Sequence, residues 1–138
     1  MWYDYVENKN SLSATLSNSI PDLDDIFLND LKIISGEDIQ IYLRFDINAK
    51  EIVFTKKWIE REYNTLQITL LLMATKMNCF NMEYLKYPNG KITIHELGDL
   101  KTINFESLKG ECIFLIEAKW IYANSINGYK NELQISSV

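Results

Sequence analysis

Apolar and polar residues alternate with a period of two through most of this chain, and the pattern restricts it to strand-rich folds. The clearest example is the stretch IQIYLRFDI from Ile39 to Ile47, in which every second residue is large and apolar. In a strand, such alternation puts one set of side chains on a buried face and the other set in solvent. We therefore predict a strand here, with one face toward a core.

The same pattern predicts further strands, separated by short turns rather than by long helices, and short connections favour antiparallel pairing. Leu12 and Leu16, four residues apart among Ser and Asn, predict a short helix over residues 8–18 that ends before Pro21. The predicted class is α+β but mostly β: a largely antiparallel sheet of about six to eight strands, curved or partly barrel-like, with a short N-terminal helix. The further strands are residues 26–34, the stretches NTLQITLLLMA, MNCFNMEYL, KITIHEL, KTINFESL and CIFLIEAKWIYA, and a possible edge strand at 133–135.

Glycines with Pro or Asn neighbours predict where the chain turns. The stretch YPNG predicts a tight turn at Gly90 and a hairpin between the strands on either side of it. The Asn-Gly pair at 127–128 predicts a second turn. In CIFLIEAKWIYA, every second residue from Cys112 to Tyr122, Trp120 included, falls on one face, and the other face is mixed. This suits a central strand whose second face is partly covered.

The length and composition fit one domain over residues 1–138, since 47% of the residues are hydrophobic and supply ample material for a core. The longest nearly uninterrupted apolar run is far shorter than the roughly 20 residues that cross a bilayer. Asp4 and Glu7 stand where a secretory signal carries positive charge. We expect a cytoplasmic protein whose two cysteines, Cys79 and Cys112, are buried reduced thiols.

The acidity of the chain belongs to its N-terminal third. Residues 1–51 hold ten Asp and Glu against four Lys and Arg, whereas residues 52–138 hold nine acidic and ten basic residues. An acidic field repels phosphate backbones and anionic membranes and steers basic partners. We therefore expect neither a nucleic-acid nor a membrane partner.

Motifs that would indicate an enzyme are missing from the sequence. His95 is the single histidine, lies in a predicted strand on the face opposite Ile92 and Ile94, and has no nucleophile motif near it. The five glycines form no phosphate-binding loop, and one His with two dispersed Cys makes a poor metal site. We predict no catalytic, metal-binding or cofactor-binding residues, although paired carboxylates among the 19 acidic residues stay open.

The stretch KKWIEREYNTLQITL, residues 56–70, changes from charged residues around Trp58 to a strand-like alternation without a Gly or Pro between them. Basic residues around an exposed Trp could stack on a nucleic-acid base, but the net charge and the interleaved Glu residues oppose this. We predict instead that Trp58 and Tyr63 pack over one end of the core, with the long charged side chains lying across them.

A combination of short stretches carries a resemblance: MWYDYV at the N-terminus, YLRFDI at 42–47, KKW at 56–58, YNTLQITL at 63–70 and INGY at 126–129. This combination resembles the immunity protein 50 family, which comprises predicted bacterial antidotes encoded beside polymorphic toxins. The resemblance implies a cytoplasmic protein that binds a cognate toxin domain and blocks it without catalysis. It implies a fold-defining role for Trp58, Tyr63, Asn64 and Gln67, with Trp58 a possible binding anchor.

On this hypothesis the acidic N-terminal third steers the toxin domain and nearby aromatic residues supply affinity. The predicted partner-binding residues are Asp22, Asp24, Asp25, Asp30, Glu37 and Asp38. The oligomeric state stays open at this point.

Two other functions remain compatible with the sequence. One is a small-ligand-binding β-barrel-like protein or a carboxylate-dependent hydrolase, with a pocket lined by Tyr42, Tyr84 or Trp120. The other is a subunit of a larger scaffold, which would present a large exposed apolar patch.

Overall fold

The computed structural model describes residues 1–16, 19–48, 56–80 and 88–131. It confirms the predicted class, because one antiparallel sheet of six strands dominates it and the helices are short. The strands are β1 Ile26–Ile34, β2 Ile39–Asn48, β3 Thr65–Phe80, β4 Asn89–Leu97, β5 Leu100–Ser107 and β6 Cys112–Tyr129. The helices are a 3-10 turn at Trp2–Tyr5, α1 at Lys9–Leu16 and α2 at Lys56–Glu60. No helix within the described ranges is both long and apolar enough to cross a membrane.

The sheet closes into a barrel with the strand order β1-β2-β3-β6-β5-β4, because β1 also pairs with β4. The closing contact is short and pairs Ile26 with Gly90 and Phe27 with Asn89. On one side of β1, Ile26 pairs with Ile47 of β2, which pairs with Leu66 of β3. Leu66 in turn pairs with Gly128, near the end of β6. On the other side of β1, Ile26 pairs with Gly90 of β4, which pairs with Ser107 of β5. Ser107 lies next to the residue that pairs with Cys112, at the start of β6. This offset between the two paths means that the strands are steeply tilted to the barrel axis.

The inward-facing side chains form an aliphatic and aromatic core. The alternation in β2 is confirmed from Ile41 onward, although Ile39 is 41% exposed near the strand end. The rings of Phe105 and Phe114 pack inside with their centroids 5.3 Å apart. Burying a side chain of this size stabilises the fold by about 1.5–3 kcal/mol. The core therefore depends on residues from all six strands, which are Ile26, Leu43, Phe45, Leu66, Ile68, Leu70, Leu72, Ile92, Ile103, Phe105, Phe114 and Ile116.

The N-terminal segment covers the edge of β6 beyond the region that pairs with β5. Val6 forms a parallel bridge with Ile121, and the Glu7 N–H donates to the Ile121 carbonyl at 2.8 Å. The side-chain amide of Asn8 then pairs with both backbone groups of Ala123, at 2.9 Å to its carbonyl and 2.7 Å from its N–H. Helix α1, which begins at the next residue, confirms the predicted N-terminal helix. These contacts satisfy backbone groups that an open strand edge would leave unpaired.

Two predicted turns were wrong. Gly90 and Gly128 lie inside β4 and β6 rather than in turns, and within the described residues β3 and β4 are not neighbours. The part of the predicted YPNG hairpin at residues 81–87 lies outside the described residues. The physical reason for glycine at both positions is close packing, because a Cβ on Gly90 would lie 2.1 Å from the Glu106 carbonyl oxygen. Hairpin turns with positive φ occur instead at Gly98 (62°) and Gly110 (87°), where glycine relieves the strain.

The predicted face of Trp120 was also wrong. A β-bulge in β6 places Ala118 opposite Ala74 but Trp120 opposite Met73, which leaves Lys119 as the extra residue. A one-residue shift exchanges the inward and outward faces of the residues that follow, here up to a second bulge at Asn124. Trp120 is therefore 46% exposed on the outside, and Ile121 is buried in its place.

Candidate functional site

Asp46 is a fully buried carboxylate, although it lies at an outward-facing position of β2. It accepts hydrogen bonds from the Asn29 side-chain amide at 2.8 Å, from that of Gln67 at 3.1 Å, and from the Tyr129 hydroxyl. Gln67 is directly opposite Asp46 in the β2–β3 pairing. Hydrogen bonds to an ionised carboxylate are about twice as strong as neutral ones. A single side chain thus links β1, β2, β3 and β6 on the outside of the barrel.

Trp58 and Tyr63 pack over the strand backbone beside this carboxylate. Their ring centroids are 6.2 Å apart, and the Tyr63 N–H donates to the Trp58 carbonyl at 3.1 Å. Glu62, with φ of 57°, reverses the chain between them. A Cβ on Gly128 would lie 2.8 Å from a Tyr63 ring carbon and 2.9 Å from a Trp58 ring carbon. The two rings therefore need glycine beneath them in β6.

Asn64 uses its side chain as a substitute for a strand backbone. Its amide nitrogen donates to the Asn131 carbonyl at 3.0 Å, and its oxygen accepts from the Asn131 N–H at 2.8 Å. The same oxygen accepts from the Thr65 hydroxyl at 2.9 Å. Asn131 also donates its side-chain amide to the Tyr129 hydroxyl at 3.1 Å, which connects this pairing to Asp46.

These contacts define a corner cluster, by which we mean Asp46, Trp58, Tyr63, Asn64, Gln67, Gly128 and Tyr129. Four of the five stretches that carry the family resemblance contribute to it, although the stretches are far apart in the sequence. The polar side chains bond to one another and to backbone groups, an arrangement that cross-links four strands. Sequence reasoning singled out Trp58, Tyr63, Asn64 and Gln67, which the structure brings together.

Asp46 and Tyr129 are the members that the sequence did not single out, and Gly128 was predicted in the wrong role, as a turn residue. Both Asp46 and Tyr129 stood inside the quoted stretches, but an outward-facing Asp in an alternating strand carries no sign of burial. The outer face of β2 at Asp46 is buried by residues from other parts of the chain, in part by the irregular segment 61–64 that leads into β3. A local pattern therefore could not identify them.

The six predicted partner-binding carboxylates are exposed but do not form one patch. Three of them precede β1 and two follow it in the turn to β2, so the nine residues of β1 place the two groups about 30 Å apart. Asp25 accepts from the Asn89 amide at 2.6 Å, and Asp30 lies 3.9 Å from Arg44. Asp22 and Asp24 line a surface depression of about 270 Å³ that also includes His95 and aromatic residues. The acidic third therefore divides into two separate surfaces.

Other groups that the sequence suggested for chemistry are dispersed. His95 is exposed on β4, and the half-buried Cys112 thiol donates to the Asn104 side-chain oxygen at 3.5 Å. Tyr42 and Trp120 both face outward, so they do not line the barrel interior, and Tyr84 lies outside the described residues. Within the ranges that the structure describes, no group of three or more His, Cys, Asp or Glu side chains could hold a metal ion.

Comparison of the chain with models of protein families, with curated proteins and with solved structures finds no match.

Replacing Gly128 with Ala is expected to lower the free energy of unfolding by about 1–3 kcal/mol, because overpacking against two rings forces them to shift. The measurement is urea denaturation followed by tryptophan fluorescence. The matched double variant carries Trp58→Ala as well as Gly128→Ala, which removes one of the two clashing rings. Its free energy of unfolding should fall by less than the sum of the decreases in the two single variants. If the decreases in the free energy of unfolding were strictly additive, the contact between position 128 and the Trp58 ring would be contradicted.

Proposed function

We propose that this chain is an immunity protein that binds a cognate bacterial polymorphic toxin domain in the cytoplasm and neutralises it by occluding its surface, without catalysis. The observation that best supports the proposal is the corner cluster. The stretches that resemble the immunity protein 50 family lie far apart in the sequence, and four of the five contribute residues to this one cluster. In this chain they meet through the carboxylate of Asp46 and the packing over Gly128.

The distribution of charge is consistent with a binding role. The corner cluster uses its polar groups internally, whereas the six predicted partner-binding carboxylates are exposed. Exposed charge of one sign accelerates association with a partner of the opposite sign more than it raises affinity. A basic toxin surface, such as the cleft of a nuclease, is the partner that this field would attract.

The test is a growth rescue followed by co-purification. The toxin domain encoded beside this chain is expressed with and without the protein, and colony formation is scored. We expect rescue, a stable one-to-one or higher complex on gel filtration, and loss of rescue when the protein is destabilised by Gly90→Ala. Continued growth arrest, with an active toxin domain and a folded antidote, would refute the proposed function.

A further inference from the structure

The outer face of β1, β2, β3 and β6 carries a row of four partly exposed side chains, three of which are apolar. In the strand pairing, Ile34 lies opposite Gln40, Gln40 opposite Met73, and Met73 opposite Trp120. Neighbouring strands are about 4.8 Å apart, so this row extends for about 15 Å along the surface. Ile34 is 40% and Trp120 46% exposed, and both Gln40 and Met73 are half-buried.

A second row lies beside the first. Tyr42, Leu71 and Tyr122 are opposite one another on β2, β3 and β6, and all three are half-buried. We call the two rows together the outer strip, which comprises Ile34, Tyr42, Leu71, Met73, Trp120 and Tyr122. Because the strands are steeply tilted, a row of paired residues stays on one side of the barrel.

Surface depressions border the outer strip at both ends. One, of about 420 Å³, contains Ile34 and Tyr42 together with one acidic side chain, Asp30, and two basic ones, Lys32 and Arg44. The other, of about 450 Å³, contains Trp120 and four charged residues, the acidic Glu96 and Asp99 and the basic Lys101 and Lys119. An apolar centre with depressions and a mixed-charge border is the anatomy of a protein–protein interface.

The charges at the strip indicate what kind of partner fits. Glu37 and Asp38 lie in the turn just beyond Ile34, are exposed, and form no ion pair with any residue that the structure describes. Two acidic and two basic side chains border the Trp120 end, so their charges balance. A complementary partner therefore carries apolar side chains at its centre and Lys or Arg opposite the turn between β1 and β2.

We infer that the outer strip is the surface on which the toxin domain docks, with Trp120 as its aromatic anchor and Glu37 and Asp38 receiving basic side chains of the toxin. This inference depends on the proposed function and specifies its interface. Of the predicted partner-binding carboxylates, it assigns Asp30, Glu37 and Asp38 to the interface. The three that precede β1 lie about 15 Å or more from Asp30 and about 30 Å from Glu37 and Asp38, beyond the range of about 8–10 Å over which surface charges act at physiological salt.

The first test measures affinity for the purified toxin domain encoded beside this chain, by biolayer interferometry. Trp120→Ala is expected to weaken binding at least about 30-fold, the loss found at aromatic hot spots, and Met73→Lys to do the same from the centre of the strip. The control is Ile59→Ala, which removes an apolar side chain that is 63% exposed on α2. Circular dichroism melting verifies that each variant is folded.

The outcomes separate the inference from the proposed function. If wild-type protein binds the toxin domain and both strip variants bind equally well, the inference is overturned and the proposed function stands. If folded wild-type protein neither binds nor rescues, both are overturned. If the isolated protein sediments as a dimer that Trp120→Ala converts to a monomer, the strip is a self-association surface and the inference is also overturned.

A second test compares two triple variants that change the net charge equally. Neutralising Asp30, Glu37 and Asp38 with Asn or Gln is expected to slow association with the toxin domain about tenfold at low salt. Neutralising the three aspartates before β1 is expected to change the rate less than twofold. The reverse ranking would place the toxin at the other end of β1 and would overturn the inference.

Discussion

Asp46→Ala is expected to lower the free energy of unfolding by about 3 kcal/mol or more, because it removes a buried acceptor that three side chains share. Asn29, Gln67 and Tyr129 would each lose a charge-assisted hydrogen bond. A buried donor left without a partner costs about 1–3 kcal/mol, and solvent can compensate the partly accessible ones. The lost bonds connect four strands, so we also expect the unfolding rate to rise.

The measurement is urea denaturation, with the midpoint compared at constant slope. Asp46→Asn keeps one acceptor oxygen and the side-chain shape, so it should lose less than Asp46→Ala. The control is Asp30→Ala, whose carboxylate is about half exposed and 3.9 Å from Arg44. Exposed pairs of this kind contribute about 0–1 kcal/mol. Equal losses at Asp46 and Asp30 would mean that the buried network does not stabilise the fold.

Gly90→Ala is expected to lower the free energy of unfolding by a similar amount, at least about 3 kcal/mol, because the added Cβ would clash with a backbone carbonyl. It would lie 2.1 Å from the Glu106 carbonyl oxygen and 2.9 Å from a Phe105 ring carbon. Overpacking costs about 1–3 kcal/mol where side chains can move, and a backbone carbonyl in a strand pair moves less easily. Gly90 is also paired with Ile26, so the clash falls where the barrel closes.

Gly36→Ala is the matched control for Gly90. The nearest atom to a Cβ there is the Asp38 carbonyl oxygen at 3.9 Å, which is ordinary contact, and the backbone is outside the left-handed region. The same substitution should therefore be neutral or stabilise by about 0.4–1 kcal/mol through the unfolded state. If Gly90→Ala were equally harmless, the close approach of β4 and β5 would be wrong.

The corner cluster and the outer strip are separable in experiment. Five residues of β3 lie between Gln67 in the cluster and Met73 in the strip, so the two are about 20 Å apart along the strand. Changes more than about 10 Å apart usually act additively. Variants of the corner cluster should therefore lower the free energy of unfolding but leave the affinity of the folded protein for the toxin domain almost unchanged. Variants of the outer strip should lower that affinity with little effect on the free energy of unfolding.

The sequence alone determined where most of the strands lie and that they pair antiparallel. It divided β3 in two, because Thr65–Phe80 is one strand that includes the start of the separately predicted MNCFNMEYL, and the predicted edge strand at 133–135 lies outside the described residues. Strand β1 was predicted over the residues at which it occurs, and the alternation of Ile41, Leu43, Phe45 and Ile47 gave the buried face of β2. Short connections correctly indicated antiparallel pairing. These features are local, because side-chain direction in a strand follows from the two-residue repeat of its own backbone.

Only the tertiary structure decided which strands are neighbours, which glycines are turns and which face Trp120 occupies. β3 pairs with β6 rather than with β4, and the bulge at Lys119 shifts the alternation by one residue. Gly90 and Gly128 are glycine because other segments pack against them, and Asp46 is buried because distant residues surround it. Each of these features depends on contacts between residues far apart in the chain, which a pattern of period two cannot encode.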